Sequence, residues 1–164
     1  MILNWGATDD ERAAALPCDA LAPGAAIRAD RALSINAPSS TVFGWLCQLR
    51  VAPYSYDLLD NAGRRSPHTR DPELARLKVG QRFMYIFALR SFAEDEHVTL
   101  QSRKVAVTYA VQDRAEGTRL HVRVRFDGSP IVGWALALGD VVMMRKQLLT
   151  LRELAEKEAA MITS

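Results

Sequence analysis

Hydrophobic and polar side chains alternate with a period of two in five stretches of this chain. In the first stretch, residues 25–36, Ile27, Leu33 and Ile35 share one face, which predicts a strand buried on one side. Four more stretches alternate in the same way, at residues 81–92, 97–103, 105–112 and 118–127. Because only short connections with turn residues separate these four, the sequence predicts antiparallel hairpins.

Apolar residues spaced by three and four predict helices elsewhere in the chain. Residues 38–49 form the first, since Pro38 suits the opening turn of a helix, and a short helix is expected over residues 54–61. A long amphipathic helix starts near Val141, and about 21 residues at 1.5 Å rise give it a length of about 30 Å. That length crosses the whole sheet, and a curved sheet packed on a helix leaves an apolar pocket between them.

Composition favours a single domain. The chain has 164 residues, of which 49% are apolar, enough for one hydrophobic core. We interpret residues 1–24 as an N-terminal arm and residues 25–164 as the domain. The net charge of +2 is too small to indicate a nucleic-acid or anionic-membrane partner. The longest apolar run, residues 131–138, is under half a membrane span, so no membrane-spanning segment is expected.

Several segments resemble a known fold family. The sequence ADRALSINAP at residues 29–38, followed by VFGWL at residues 42–46, resembles the first strand and first helix of the START-like superfamily, also called SRPBCC. Residues 54–61, 77–82 and 117–125 look like segments of a bacterial subgroup of that superfamily. The resemblance implies an α+β helix-grip fold, in which a curved antiparallel sheet wraps around a long C-terminal helix and two short helices follow the first strand. Members bind lipids, hormones or polyketides, or catalyse cyclisation or dehydration.

The sequence contains no motif for metal, phosphate or triad chemistry. A glycine-rich phosphate loop and paired His or Cys ligands do not occur, and His68, His97 and His121 fall on three different elements. We therefore expect no metal and no cofactor. Cys18 and Cys47 lie in segments of different character, and a chain of this size needs no disulfide, which favours a reduced, cytoplasmic setting.

Arg31 is the most informative charged residue. It shares the phase of Leu33 and Ile35, so its side chain is expected to point toward the interior. A buried arginine requires an anionic or carbonyl partner. Two interpretations stay open: Arg31 anchors a ligand carboxylate or pairs with Asp57 at the pocket, or it lies at a strand end and reaches solvent.

One face of residues 118–127 is basic, because Arg119, His121, Arg123 and Arg125 recur at every second position. We predict that this face is the solvated outer surface of the sheet. A nucleic-acid surface is not expected, since the interleaved aromatic residues on which bases stack are missing.

The first functional hypothesis is a protein that binds a mostly apolar small molecule, such as a lipid, polyketide or aromatic metabolite, between the sheet and the terminal helix. Burial would supply affinity, and Arg31 or the tyrosines would orient the ligand. The candidate ligand-binding residues are Arg31, Trp45, Tyr56, Asp57, Phe83, Tyr85, Tyr109, Trp134, Met144 and Leu148. Tyr109 is expected to point inward, so its hydroxyl group needs a partner or a ligand.

Two other hypotheses belong to different classes. The first is a cyclase or dehydratase in which Tyr56 or Tyr109 acts as acid, Asp57 as base, and Arg31 steadies an enolate. The second is an interaction module, because residues 81–92 are apolar on both sides and one of these sides would suit a homodimer surface.

Overall fold

The computed structural model describes residues 3–54 and 67–164 and contains one curved antiparallel sheet of six strands, in the order β1-β6-β5-β4-β3-β2. Its strands are β1 (Ile27–Ile35), β2 (Arg82–Phe83), β3 (Phe87–Ala93), β4 (His97–Gln101), β5 (Val105–Arg114) and β6 (Gly117–Phe126). Arg31 of β1 and Tyr109 of β5 both lie opposite Val122 of β6, so the three residues form one row across the sheet. The predicted antiparallel sheet is confirmed.

Four α-helices accompany the sheet in the described part of the chain. They are α1 (Asp9–Ala13), α2 (Pro17–Leu21), α3 (Ser39–Cys47) and α4 (Pro130–Ile162). A 3-10 turn, Gln48–Arg50, extends α3, so the helix predicted over residues 38–49 is confirmed, and a second 3-10 turn covers Pro72–Ala75. The short helix predicted over residues 54–61 lies outside the described residues, apart from Tyr54. Among the described residues, no helix is both long and apolar enough to cross a membrane.

The single strand predicted over residues 81–92 is instead the hairpin of β2 and β3. Phe83 pairs with Phe87, and the turn between them holds Met84 and Tyr85 at φ values of 46° and 68°. The backbone N–H of Met84 donates to the carbonyl oxygen of Leu49 at 2.8 Å, which fixes the turn from outside the hairpin. The alternating pattern does not indicate this turn, because residues 84–86 include none of the residue types that usually form turns. The continuous strand on which a homodimer surface was predicted is therefore not formed.

Helix α4 begins earlier than its periodic pattern indicated. It has 33 residues, which corresponds to about 50 Å. Pro130 occupies its first position, where a missing N–H group costs nothing, so the apolar run at residues 131–138 belongs to the helix. The predicted core-facing residues of α4 are buried: Met144, Leu148, Leu151 and Leu154. The main core fills the space between this face, α3 and the concave face of the sheet.

The outer face of the sheet is covered by the N-terminal segment, residues 3–24. Trp5 extends the sheet beside β1, because its N–H donates to the Asp30 carbonyl at 3.0 Å and its carbonyl accepts from the Ala32 N–H at 2.8 Å. The next residue, Gly6, has a φ of 71°, and a Cβ atom there would lie 2.1 Å from the Ala32 carbonyl oxygen. Only glycine therefore permits this close approach. Helices α1 and α2 then cross the face.

The basic face of β6 is buried beneath this segment, so the prediction that it is solvated is wrong. His121 is 1% exposed and Arg123 is fully buried. Arg123 donates hydrogen bonds to the carboxylates of Asp30 and Asp19, at 2.9 and 2.7 Å, and to the carbonyl oxygens of Ala14, Glu11 and Arg12. The strand pattern shows which side chains share this face, whereas the acidic and carbonyl groups that cover it come from distant residues.

The carboxylate of Asp30 lies at the centre of this cluster. Its Oδ1 atom is 2.8 Å from Nε2 of His121 and 2.9 Å from Nε of Arg123. Burial alone would raise the pKa of Asp30, but the hydrogen bond with His121 and the charge of Arg123 hold it below its ordinary value. The buried guanidinium group of Arg123 is therefore paired with an ionised carboxylate.

Glu11 is expected to make folding stability depend on acid pH. The hydrogen bond from Arg119, at 2.7 Å, is the main reason that the pKa of Glu11 falls from 4.5 to about 2. A carboxyl group with a lowered folded-state pKa stabilises the fold above its unfolded-state pKa, and this stabilisation disappears as the pH falls through the folded-state pKa. The stability difference between the parent protein and Glu11→Gln should be full above about pH 4.5 and shrink toward about pH 2.

Urea unfolding across this pH range measures the effect. The matched control is Glu116→Gln, since Glu116 is exposed in the turn between β5 and β6 and should give a small difference at every pH. A stability difference between the parent and Glu11→Gln that is the same at pH 2 and pH 6 would contradict the role given to the Arg119–Glu11 pair.

Candidate functional site

A cavity of about 310 Å³ lies between the concave face of the sheet and α4, at the end of the sheet where β2 and β3 turn. This volume falls at the lower end of the range for small-molecule sites, about 300–1,000 Å³. Val105, Val107 and Val124 line it from the sheet, and Met143 and Met144 line it from α4. The residues of the β2–β3 turn, 84–87, form its rim, where Ile86 is 71% exposed. The cavity therefore has apolar walls and opens toward solvent at the turn.

Tyr109 and Gln147 form a closed hydrogen-bond chain on one wall. The Tyr109 hydroxyl group donates to Oε1 of Gln147 at 2.8 Å, and Nε2 of Gln147 donates to the Pro53 carbonyl oxygen at 2.7 Å. Nε2 also lies 3.3 Å from the sulfur of Met84. The inward orientation of Tyr109 and its need for a partner are confirmed. Burial raises the pKa of Tyr109, so its hydroxyl group stays protonated.

Arg31 and Asp140 form an ion pair at the cavity wall. Nη1 of Arg31 lies 2.7 Å from Oδ2 of Asp140, and the two side chains are 2% and 21% exposed. Arg31 is therefore buried, as its phase in β1 predicted, and its partner is a carboxylate of α4. Burial raises the pKa of Asp140, and the charge of Arg31 opposes that rise. Asp140 lines the cavity, while Arg31 lies behind it.

This ion pair leaves polar atoms without hydrogen-bond partners. The contact lacks the alignment of a hydrogen bond, so Nη1 and Nη2 of Arg31 and Oδ2 of Asp140 have no such partner among the described residues. Buried polar groups usually find a partner, so these atoms have capacity for hydrogen bonds to a bound molecule or to water. Asp140 is therefore the polar residue of the cavity lining whose hydrogen-bonding capacity is least satisfied among the described residues.

The structure brings three of the predicted ligand-binding residues into the cavity wall, namely Tyr85, Tyr109 and Met144. Phe83 and Leu148 are fully buried in the core and do not line the cavity. Arg31 reaches the cavity only through Asp140. Trp134 lies within α4, but its side chain, like Tyr56 and Asp57, is outside what the structure describes.

Trp45 lies toward the C-terminal part of α4, away from the cavity lining. Its Nε1 donates to Glu158 at 3.1 Å, and its ring contacts Tyr54 edge to face at 6.0 Å. Glu158 also pairs with Arg70 at 3.0 Å, and the Arg70 side chain lies directly over Gly44 of α3. This cluster joins α3, α4 and the segment beginning at residue 67, which indicates a structural role.

Sequence reasoning missed Asp140 and Gln147, the two polar residues that α4 contributes to the cavity. They are seven residues apart and flank the buried stripe of Met144 and Leu148, so they lie on the same side of the helix. The sequence analysis gave neither residue a role, although this spacing places both at the edge of the buried stripe. Their position in the helical repeat was the available signal.

Solved structures share this fold. Protein MLL2253 from Mesorhizobium loti aligns with a TM-score of 0.56 at 12% identity, over 80% of this chain and 98% of that one. Protein NE0264 from Nitrosomonas europaea gives 0.54 at 12% identity, over 82% and 97%. The di-domain ARO/CYC protein StfQ, from the steffimycin biosynthetic pathway, gives 0.51 at 10% identity, over 82% of this chain and 52% of that one.

No protein-family model matches this chain, and no curated protein is significantly similar to it. The structural matches have low sequence identity, so they bear on the fold alone. At that level they confirm the helix-grip architecture that the START-like resemblance implied.

Proposed function

We propose that this protein binds a mostly apolar small molecule in the cavity between the sheet and α4. The observation that carries the proposal is a cavity of about 310 Å³ with valine and methionine walls and a few polar groups in its lining, namely Tyr109, Asp140 and Gln147. Apolar walls supply affinity through burial, at about 25 cal/mol per Å² of apolar surface removed from water, and the polar groups orient the ligand. The two methionines on α4 make that wall adaptable in shape.

Filling the cavity should abolish this binding. Val105 lines the cavity, so Val105→Trp places an indole ring in the space that a ligand would occupy. The uncharged fluorescent compound N-phenylnaphthylamine should bind the parent protein with a saturable rise in emission. We expect its affinity to fall about tenfold or more in Val105→Trp.

The matched control is Val79→Trp, because Val79 is 59% exposed and does not line the cavity. The affinity of Val79→Trp for the dye should stay within about twofold of the parent value. A twofold change in affinity corresponds to much less free energy than the tenfold change expected for Val105→Trp, which is about 1.4 kcal/mol. Equal affinities for the parent and Val105→Trp would place dye binding elsewhere, and a linear, non-saturable signal would reject the proposal.

A cyclase or dehydratase is the second candidate, and the position of Asp140 favours it. A carboxyl group whose pKa burial raises, next to a guanidinium group and facing a cavity, is a suitable acid or base. Similarity in fold to the ARO/CYC protein StfQ is compatible with this chemistry. Tyr109 is a poor acid here, because its proton is held by Gln147 and burial raises its pKa.

Native mass spectrometry of protein purified from its host separates the two candidates. A compound that is released from the protein in chemically unaltered form after incubation supports binding alone. Conversion of that compound by the parent protein, lost in Asp140→Asn while the compound still binds, would establish the enzyme and give Asp140 a role in the chemistry.

A further inference from the structure

We infer that the cavity selects an uncharged ligand bearing a hydroxyl group, which donates a hydrogen bond to Asp140. This inference rests on the proposed binding function and specifies the chemical class of the ligand. Of the two carboxylate oxygens of Asp140, Oδ2 is buried against Arg31. The residue nevertheless lines the cavity and keeps 21% of its side chain exposed. The oxygen left to face the cavity is therefore Oδ1.

A carboxylate oxygen accepts hydrogen bonds and cannot donate them when ionised. Asp140 has Arg31 at 2.7 Å, and the permanent positive charge of that guanidinium group favours the ionised carboxylate, against the rise in its pKa that burial causes. The hydroxyl-to-carboxylate hydrogen bond is short and about twice as strong as one between neutral groups. A ligand hydroxyl group beside Asp140 would therefore be bound more firmly than a neutral polar group that cannot donate a hydrogen bond.

Charge balance excludes ionised ligands from the same position. Arg31 and Asp140 together carry no net charge, so a ligand ion would enter an apolar cavity without a free counter-ion. A ligand carboxylate would also meet the exposed oxygen of Asp140, and like charges repel. A ligand ammonium group would meet a carboxylate whose charge Arg31 already offsets, and it would lose its hydration.

The other polar groups of the cavity do not compete for the ligand. Gln147 uses Oε1 for the Tyr109 hydroxyl group and Nε2 for the Pro53 carbonyl oxygen. The remaining walls, from the sheet and from Met143 and Met144, are apolar. The part of the ligand that these walls enclose should therefore be hydrocarbon, either aromatic or aliphatic.

Four naphthalene derivatives with the substituent at one ring position test this selection in the parent protein by isothermal titration calorimetry. They are naphthol, its methyl ether, naphthoate and the naphthylmethylammonium ion. Naphthol should bind about tenfold or more tightly than the methyl ether, which keeps the shape and loses the donor. It should also bind about tenfold or more tightly than either ion.

Each outcome has one meaning. Equal affinities for naphthol and its methyl ether, or tightest binding of naphthoate or of the ammonium ion, would overturn the hydroxyl assignment while leaving the binding function intact. Failure of all four compounds, together with a failure of N-phenylnaphthylamine to bind, would overturn the binding function itself.

A variant reverses the predicted preference. Asp140→Asn removes the negative charge and leaves Arg31, which is 2% exposed, as an unpaired cation behind the cavity wall. Naphthoate should then bind more tightly than naphthol, which is the opposite of the parent order. The control is Asp113→Asn, since Asp113 is exposed at the end of β5 and should keep the parent order. An unchanged order in a folded Asp140→Asn protein would show that Asp140 does not set the selection.

Discussion

Replacing Arg123 by alanine should lower the free energy of unfolding by about 3–5 kcal/mol, the cost of removing one partner from a buried ion pair. Arg123 is fully buried, and it joins the carboxylates of Asp30 and Asp19 to three carbonyl oxygens of the N-terminal segment. Its loss leaves Asp30, which is 1% exposed, with only the partly exposed Arg28 as an arginine partner, at 2.9 Å. A small protein has only about 5–15 kcal/mol of stability, so the variant should be close to unfolding.

Urea unfolding of Arg123→Ala measures this loss, and Arg103→Ala is the control. Arg103 is exposed in the turn between β4 and β5, so its removal should change stability by no more than about 0.5 kcal/mol. Trypsin gives an independent measurement, because cleavage after Arg12 should become faster when the N-terminal segment separates from the sheet. Similar stabilities for the two variants would contradict the central role of Arg123.

The ion pair of Arg31 and Asp140 should show strong coupling in a double-mutant cycle. Asp140→Leu alone leaves a guanidinium group buried without a counter-charge, and we expect a loss of about 3 kcal/mol. In Arg31→Met/Asp140→Leu both charges are gone, and apolar side chains fill a comparable volume. Because such replacements are often neutral or stabilising, the double variant should lie within about 1 kcal/mol of the parent.

Urea unfolding of the parent, the two single variants and the double variant measures the coupling energy directly. Arg31→Met should lose less than Asp140→Leu, because an unpaired carboxyl group can take up a proton, whereas an arginine keeps its charge. Additive effects, with the double variant the least stable of the four, would show that the two groups do not act as a pair.

The elements that depend on local pattern were largely predictable. The phase of Leu33 and Ile35 was enough to orient Arg31 inward, because successive side chains of a strand point to opposite faces. The stripe of Met144, Leu148 and Leu151 was enough to identify the buried face of α4 in the same way. The turn at Met84 and Tyr85 was not predictable, since a hydrogen bond from the Met84 N–H to the distant Leu49 carbonyl oxygen fixes it.

The partners of the buried charges could not be predicted from the sequence. The strand phase predicted that Arg31 is buried, but it did not identify Asp140, far along the chain, as the carboxylate that pairs with it. Asp57, the predicted partner, lies outside the described residues. The basic face of β6 had the pattern of a solvated surface, yet the N-terminal segment covers it with Asp19 and with backbone carbonyls.

The sequence by itself determined the strand and helix periodicity, the inward phase of Arg31 and Tyr109, and the helix-grip architecture that the resemblance at residues 29–46 implied. Each of these depends on the spacing of neighbouring residues, which a chain carries before it folds. Only the tertiary structure decided that Asp140 and Gln147 face the cavity and that residues 3–24 neutralise the outer face of the sheet. These features depend on contacts between residues far apart in the chain, and spacing along the chain does not encode which of them meet.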